Sequence, residues 1–213
     1  MKKLFPYFLL IASTTISLGC TNIYHNIPKA SETSQKEFTK YGYPMSPNNF
    51  DQTITFLTKR IAINSSDTDA LIQRGIAYRA IGKHKESLKD LSRAIEINEK
   101  LANAYFYRGN AKSDLERYES AIEDYNKATL INPKLIDAYL SKGKALMNLS
   151  KYDEAILEIN RAINLDNSYG LSFNDRGIIQ ERMNNQKGAC NDWKAAVALG
   201  YSPSQKWLDM SCQ

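Results

Sequence analysis

Residues 102–135 read ANAYFYRGNAKSDLERYESAIEDYNKATLINPKL, and the position of Gly109 within them decides the fold. The same glycine recurs as Gly75, Gly143 and Gly177, always 34 residues from its neighbour. Four residues before each glycine stands a large side chain: Leu71, Tyr105, Tyr139, Phe173 and, one period on, Trp207. Twelve after it stand Ser87, Ala121, Ala155 and Ala189, and nineteen after it Ala94, Ala128, Ala162 and Ala196. Leu91, Tyr125, Ile159 and Trp193 supply a second large series between these. Self-similarity at such a period marks a stack of small supersecondary units.

The spacing has a mechanical reading. In each unit one amphipathic helix carries the bulky residue and the glycine one turn apart. A turn follows, at Gly82–Lys83, Glu116–Arg117, Ser150–Lys151 and Asn184–Asn185. A second helix then brings a small residue against the glycine, so that the two backbones approach closely. One pair cannot bury its apolar face alone, which forces neighbours to stack. Each glycine costs up to about 1 kcal/mol of helix propensity, which the close packing must offset. A cation just before each glycine (Arg74, Arg108, Lys142, Arg176) and an anion sixteen residues later (Asp90, Asp124, Glu158, Asp192) predict one helix–helix ion pair per unit.

The pattern of large residue, Gly, Ala, aromatic and Ala resembles the tetratricopeptide repeat. The resemblance implies an all-α, right-handed superhelical solenoid of four helix pairs over 67–201, divided at about 68–101, 102–135, 136–169 and 170–201. It departs from the family pattern at Glu99, Asn167 and Tyr201, where Pro is common and only Pro133 conforms, and at Lys112, Leu146 and Gln180, where the family often has Tyr. Residues 48–66 align with the second helix of an incomplete repeat, and 202–213 with a first helix carrying Trp207. Such half-repeats cover the apolar ends of a short solenoid.

Outside the repeats, residues 1–19 read as an export signal, with Lys2 and Lys3 before an apolar run from Leu4 to Leu18 that is short for a membrane span. Gly19–Cys20 resembles the end of a bacterial lipobox, which implies acylation of Cys20; an ordinary cleaved signal is the alternative. Residues 20–47 contain Pro28, Pro44 and Pro47 and no apolar periodicity, and read as a flexible tether. Cys190 and Cys212 lie equidistant from the turn at Gly200–Pro203, which in an antiparallel hairpin brings them to one height. An oxidising compartment then predicts a disulfide, with two buried free thiols as the alternative.

Composition and motifs bound the function. The formal charge of +5 falls to about +3 without Lys2 and Lys3, and no dense Lys/Arg run exists, which argues against a nucleic-acid partner. His25 lies in the tether and His84 at a turn position occupied by Tyr118 and Tyr152 in later repeats. No phosphate loop, zinc-protease motif or nucleophile elbow is present, so the sequence predicts no enzyme, cofactor, metal or small-molecule substrate.

What remains is a surface. The resemblance implies an inner wall formed by Asp69, Ile72, Ile76 and Arg79, then Asn103, Phe106, Asn110 and Ser113. It continues through Asp137, Leu140, Lys144 and Met147 to Leu171, Asn174, Ile178 and Glu181. Ile72, Ile76, Phe106, Leu140 and Met147 are expected as an apolar strip edged by polar groups, suited to an extended or helical peptide. On this reading Tyr105 is core, and Phe106, about 100° round the helix, faces the groove. The family's carboxylate clamp is not matched, because Ile72 and Ile76 occupy two of its polar sites. The layout resembles bacterial repeat lipoproteins that recruit envelope enzymes or assist secretin assembly. It implies a protein-binding adaptor on the outer membrane facing the periplasm, with a structural subunit of an envelope complex as the alternative.

Overall fold

The computed structural model describes residues 50–212, and Cys20, the signal and the tether lie outside them. The described residues form helices and no strands. In chain order the helices are α1 (Phe50–Ile63), α2 (Thr68–Ala80), α3 (His84–Ile97), α4 (Ala102–Ser113) and α5 (Tyr118–Ile131). Then come α6 (Ile136–Asn148), α7 (Tyr152–Leu165), α8 (Gly170–Arg182) and α9 (Gln186–Ala198). A single 3-10 turn at Ser202–Ser204 leads into α10 (Gln205–Ser211). The result is an all-α superhelical solenoid of four antiparallel pairs (α2–α3, α4–α5, α6–α7, α8–α9), with α1 before it and α10 after it.

The core runs along the second helices. Leu91, Tyr125, Ile159 and Trp193 are fully buried, each against the glycine of its own repeat. A Cβ built on Gly75, Gly109, Gly143 or Gly177 would stand 2.8, 2.6, 2.6 or 2.5 Å from those side chains. This corrects the expected pairing. The glycine makes room chiefly for the large residue of the partner helix, and the alanine series contributes backbone, with the Ala121 and Ala155 carbonyls 3.2 and 3.3 Å from the same point.

The turn inside each repeat is a left-handed cap. After α2, Lys83 N–H donates to the Tyr78 carbonyl over 2.8 Å, and the same six-to-one bond closes α4, α6 and α8. That geometry needs a residue at positive φ. Gly82 supplies it at 77° in the first repeat, but Glu116, Ser150 and Asn184 adopt 58°, 58° and 59° in the others. For a residue with a Cβ this costs on the order of 1 kcal/mol. Ser150→Gly should therefore raise stability by about 0.5–1 kcal/mol in urea unfolding; a loss of stability would contradict the strain.

Between repeats a second period operates. Asn64, Asn98, Asn132 and Asp166 each accept the backbone N–H two residues on, at 2.8–3.1 Å. The Ser168 hydroxyl and N–H hold the Asp166 carboxyl below the usual carboxylate range.

At the C-terminal end Cys190 and Cys212 are joined, with Cα atoms 5.6 Å apart. Trp207 of α10 stacks on Trp193 with centroids 5.7 Å apart. No residue of the seven in α10 is fully buried, so the bond carries much of its attachment. Reduction should lower stability by about 3 kcal/mol by chain-entropy arithmetic for a closed loop of this length. The check is paired thermal melts with and without reductant, after thiol labelling shows that unreduced protein leaves both cysteines blocked.

Candidate functional site

First helices line one side of the stack. Successive first helices touch each other (α2–α4, α4–α6, α6–α8), whereas second helices meet mainly the first helices on either side. The stack therefore curves with its first helices inward, and their exposed positions form the inner wall.

The structure sorts the predicted wall residues into two groups. Ile72, Asn110, Ser113 and Ile178 are half-buried, Arg79 keeps a third of its side chain exposed, and Lys144 about half. Ile76, Phe106, Leu140, Met147 and Asn174 are covered, at 8%, 9%, 2%, 9% and 6% exposure. The expected apolar strip is thus mostly packing between neighbouring first helices. Phe106 belongs to a cluster with Ala121, Tyr125, Ala138 and Ala145, its ring 6.3 Å from that of Tyr125. Leu140 and Met147 join Ile159 and Ile179 in the next cluster. Tyr105, expected as the packed ring, is only half-buried and lies beneath the Arg108 guanidinium at 5.4 Å. The physical reason is the curvature. Inward-facing helices converge, so large side chains at inner positions are sealed by the following repeat.

Polar groups meet along the wall both between and within repeats. Arg79 of α2 holds Asp114, the residue closing α4, through Nε at 2.5 Å and Nη2 at 3.1 Å. His84 Nδ1 lies 3.6 Å from the same carboxylate. Tyr125 reaches from α5 past Gly109 and donates its hydroxyl to Asn110 Oδ1 at 2.8 Å. Burial pushes that phenol well above its usual range. These are neutral or mutually neutralised groups, suited to hydrogen-bonding a main chain more than to holding a free charge.

A second polar cluster joins α6, α8 and the C-terminal cap. Lys144 Nζ meets Asp175 Oδ2 at 3.0 Å, Asn174 donates to Asp175, and the Ser204 hydroxyl donates to Asn174 Oδ1 at 2.9 Å. The Lys144 stem stays half-exposed while its ammonium dips to a carboxylate with only 5% exposure. Burial pushes the Asp175 carboxyl above the carboxylate range, and the Lys144 charge reverses this only in part. Desolvation alone would lower Lys144, yet the charge of Asp175 keeps it above its usual value. Burial, with the nearby Asp137 and Asp175 charges, pushes the Tyr169 phenol up to about 12. No sequence signal marked Asp175, because Gln73, Tyr107 and Ser141 stand at its position in the other repeats.

A carboxyl whose folded pKa is raised favours the fold when protonated, so its contribution is lost as pH rises from about 4 through the raised value. Asp175→Asn should then leave stability unchanged or raise it by up to about 1 kcal/mol at pH 7, since Lys144 can rehydrate. The gain should vanish near pH 4. Thermal melts at both values decide it; a loss of several kcal/mol at pH 7 would show a stabilising ion pair instead.

Comparison with known proteins follows the same residues. Family models described as TPR repeat match residues 75–115 and 109–150, and one described as tetratricopeptide repeat matches 136–169. Residues 75–169 are tetratricopeptide repeats, and the described solenoid has the fold of that family. Among solved structures, a crystal structure of MamA aligns with TM-score 0.65 and 19% identity over 81% of this chain and 96% of that one. MamA from Desulfovibrio magneticus RS-1 aligns with TM-score 0.66 and 17% identity over 82% and 97%. YrrB, described as a TPR protein with an unusual peptide-binding site, aligns with TM-score 0.59 and 18% identity over 81% and 85%. At these identities the likeness is one of fold. No curated protein sequence matches the chain. The TPR fold is that of a protein–protein interaction scaffold.

Among the described residues, no three His, Cys, Asp or Glu side chains converge as a metal site, and no helix is long and apolar enough to cross a membrane.

Proposed function

We propose that this TPR protein is a non-enzymatic adaptor of the bacterial envelope that binds an extended or helical segment of another protein along its inner wall. The observation that carries the reading is the wall itself. Half-buried Ile72 and Ile178 stand at its two ends, Asn110 and Ser113 lie between them, and the cations Arg79 and Lys144 are already tied to carboxylates. Apolar contacts flanking neutral hydrogen-bonding groups suit a peptide main chain with apolar side chains. The unusual peptide-binding site of YrrB, which shares the fold, is consistent with this use of it.

Ile72→Asp combined with Ile178→Asp should preserve the helical melt and abolish capture of whatever wild type retains from solubilised membranes. Undiminished capture by a folded double variant would remove the inner wall from the account. Anchoring rests on Gly19–Cys20 and the apolar run before it. Cys20→Ser should move the protein from the membrane to the soluble fraction. An intact mass showing an unmodified N-terminus at Thr21 or earlier would refute the lipid. A lipid on Cys20 would then place the protein on the periplasmic side of the outer membrane.

A further inference from the structure

The ion-pair ladder does more than join the two helices of each repeat. Arg74 of α2 grips Asp90 of α3 with Nε and Nη2 at 2.6 and 2.7 Å, and its free Nη1 donates to Thr58 Oγ1 of α1 at 3.0 Å. Arg108 of α4 grips Asp124 of α5 at 2.9 and 2.7 Å and donates to Ser92 Oγ of α3 at 3.4 Å. Arg176 of α8 grips Asp192 of α9 at 2.8 and 2.7 Å and donates to Asn160 Oδ1 of α7 at 2.7 Å. Each arginine therefore stitches three helices, the third belonging to the preceding repeat. Thr58, Ser92, Asn126 and Asn160 follow one another at the repeat period.

The third rung in chain order differs. Lys142 of α6 makes one contact, Nζ to Glu158 Oε1 of α7 at 3.0 Å, and Arg161 shares that carboxylate at 2.9 Å. An ammonium lacks the planar fork that lets one guanidinium serve a carboxylate and a second acceptor in fixed directions. Asn126 of α5, where the other rungs have their third partner, remains exposed. The seam between α5 and α6 thus lacks the stitch present at α1–α2, α3–α4 and α7–α8. Its apolar packing around Phe106, Tyr125, Ala138 and Ala145 is retained and would act as the pivot.

We infer that the α5–α6 seam is the joint at which the solenoid flexes, so that the second and third repeats change their mutual angle about the Phe106–Tyr125 cluster. This joint would adjust the inner wall midway along its length. It is a property of the isolated chain, so it can fail without the proposed function failing, and the reverse.

Native-state hydrogen exchange on the purified full chain tests it, with fragments covering the first helices. In wild type, amides of α6 (136–148) should exchange at least several-fold faster than those of α4 and α8. Lys142→Arg, which can reach Asn126, should slow α6 several-fold and leave α8 unchanged. Arg108→Lys should move the defect, speeding α4 several-fold. Two milder variants serve if either of these folds poorly: Asn160→Ala should loosen α8, whereas Asn126→Ala should change nothing. Equal protection at α4, α6 and α8 in wild type would overturn the inference. So would α6 exchange unaltered by Lys142→Arg in a folded protein, or slowed or speeded by Asn126→Ala.

Discussion

Trp193→Ala is expected to lower unfolding free energy by about 3–5 kcal/mol, the range for truncating a fully buried aromatic side chain. The indole is wholly enclosed, with its Nε1 against Gly177, and Trp207 stacks on it with centroids 5.7 Å apart. Removing it opens a cavity between α8 and α9 and also deprives α10 of its apolar contact. Helix α8 cannot close the gap, because Gly177 offers no side chain to move into it. Domains of this kind hold roughly 5–15 kcal/mol in all, so the variant should lose a large share of its stability. Trp207→Ala should cost much less, since that ring is only half-buried. Urea unfolding of the two variants separates these effects. A cost below about 1.5 kcal/mol for Trp193→Ala would mean that the last repeat is not packed as described.

The second large effect concerns the inner wall. Phe106→Ala should cost about 3 kcal/mol, more than Tyr105→Ala, because Phe106 is sealed by the following repeat while Tyr105 keeps a solvated edge under Arg108. Helix periodicity alone predicts the opposite order. Thermal and urea unfolding of both variants decides between them. Should Tyr105→Ala prove the more damaging, the periodic reading is right and Phe106 returns to the groove.

That reversal shows where the sequence stops being informative. Side-chain identity at fixed spacing was enough to find the four helix pairs and the Arg/Lys–Asp/Glu ladder, because each depends on which residue stands where in one period, and equal distance from the Gly200–Pro203 turn paired Cys190 with Cys212. Helical angle separates Phe106 from Tyr105 by about 100°. It carries no information on how closely the next repeat approaches, and that distance decides between wall and core. Other features were hidden by varied chemistry at equivalent positions. The left-handed cap shows a glycine only at Gly82, with Glu116, Ser150 and Asn184 elsewhere. The third partners of the ladder are Thr58, Ser92 and Asn160, short polar residues that no hydrophobic pattern picks out. Asp175 replaces neutral residues at its position, and only its enclosure by α6, α8 and the cap reveals its altered chemistry.

The central claim, that partners are held on the inner wall, is tested most directly by site-specific photo-crosslinking in cells producing the full chain. A photoreactive residue at Ile178 or Asn110 reports on the wall, and one at Leu130 or Leu157, residues 74% and 60% exposed on the second helices, reports on the outer face. The account predicts discrete higher-mass adducts from Ile178 and Asn110 and none from Leu130 or Leu157. Adducts from the outer positions alone would contradict it.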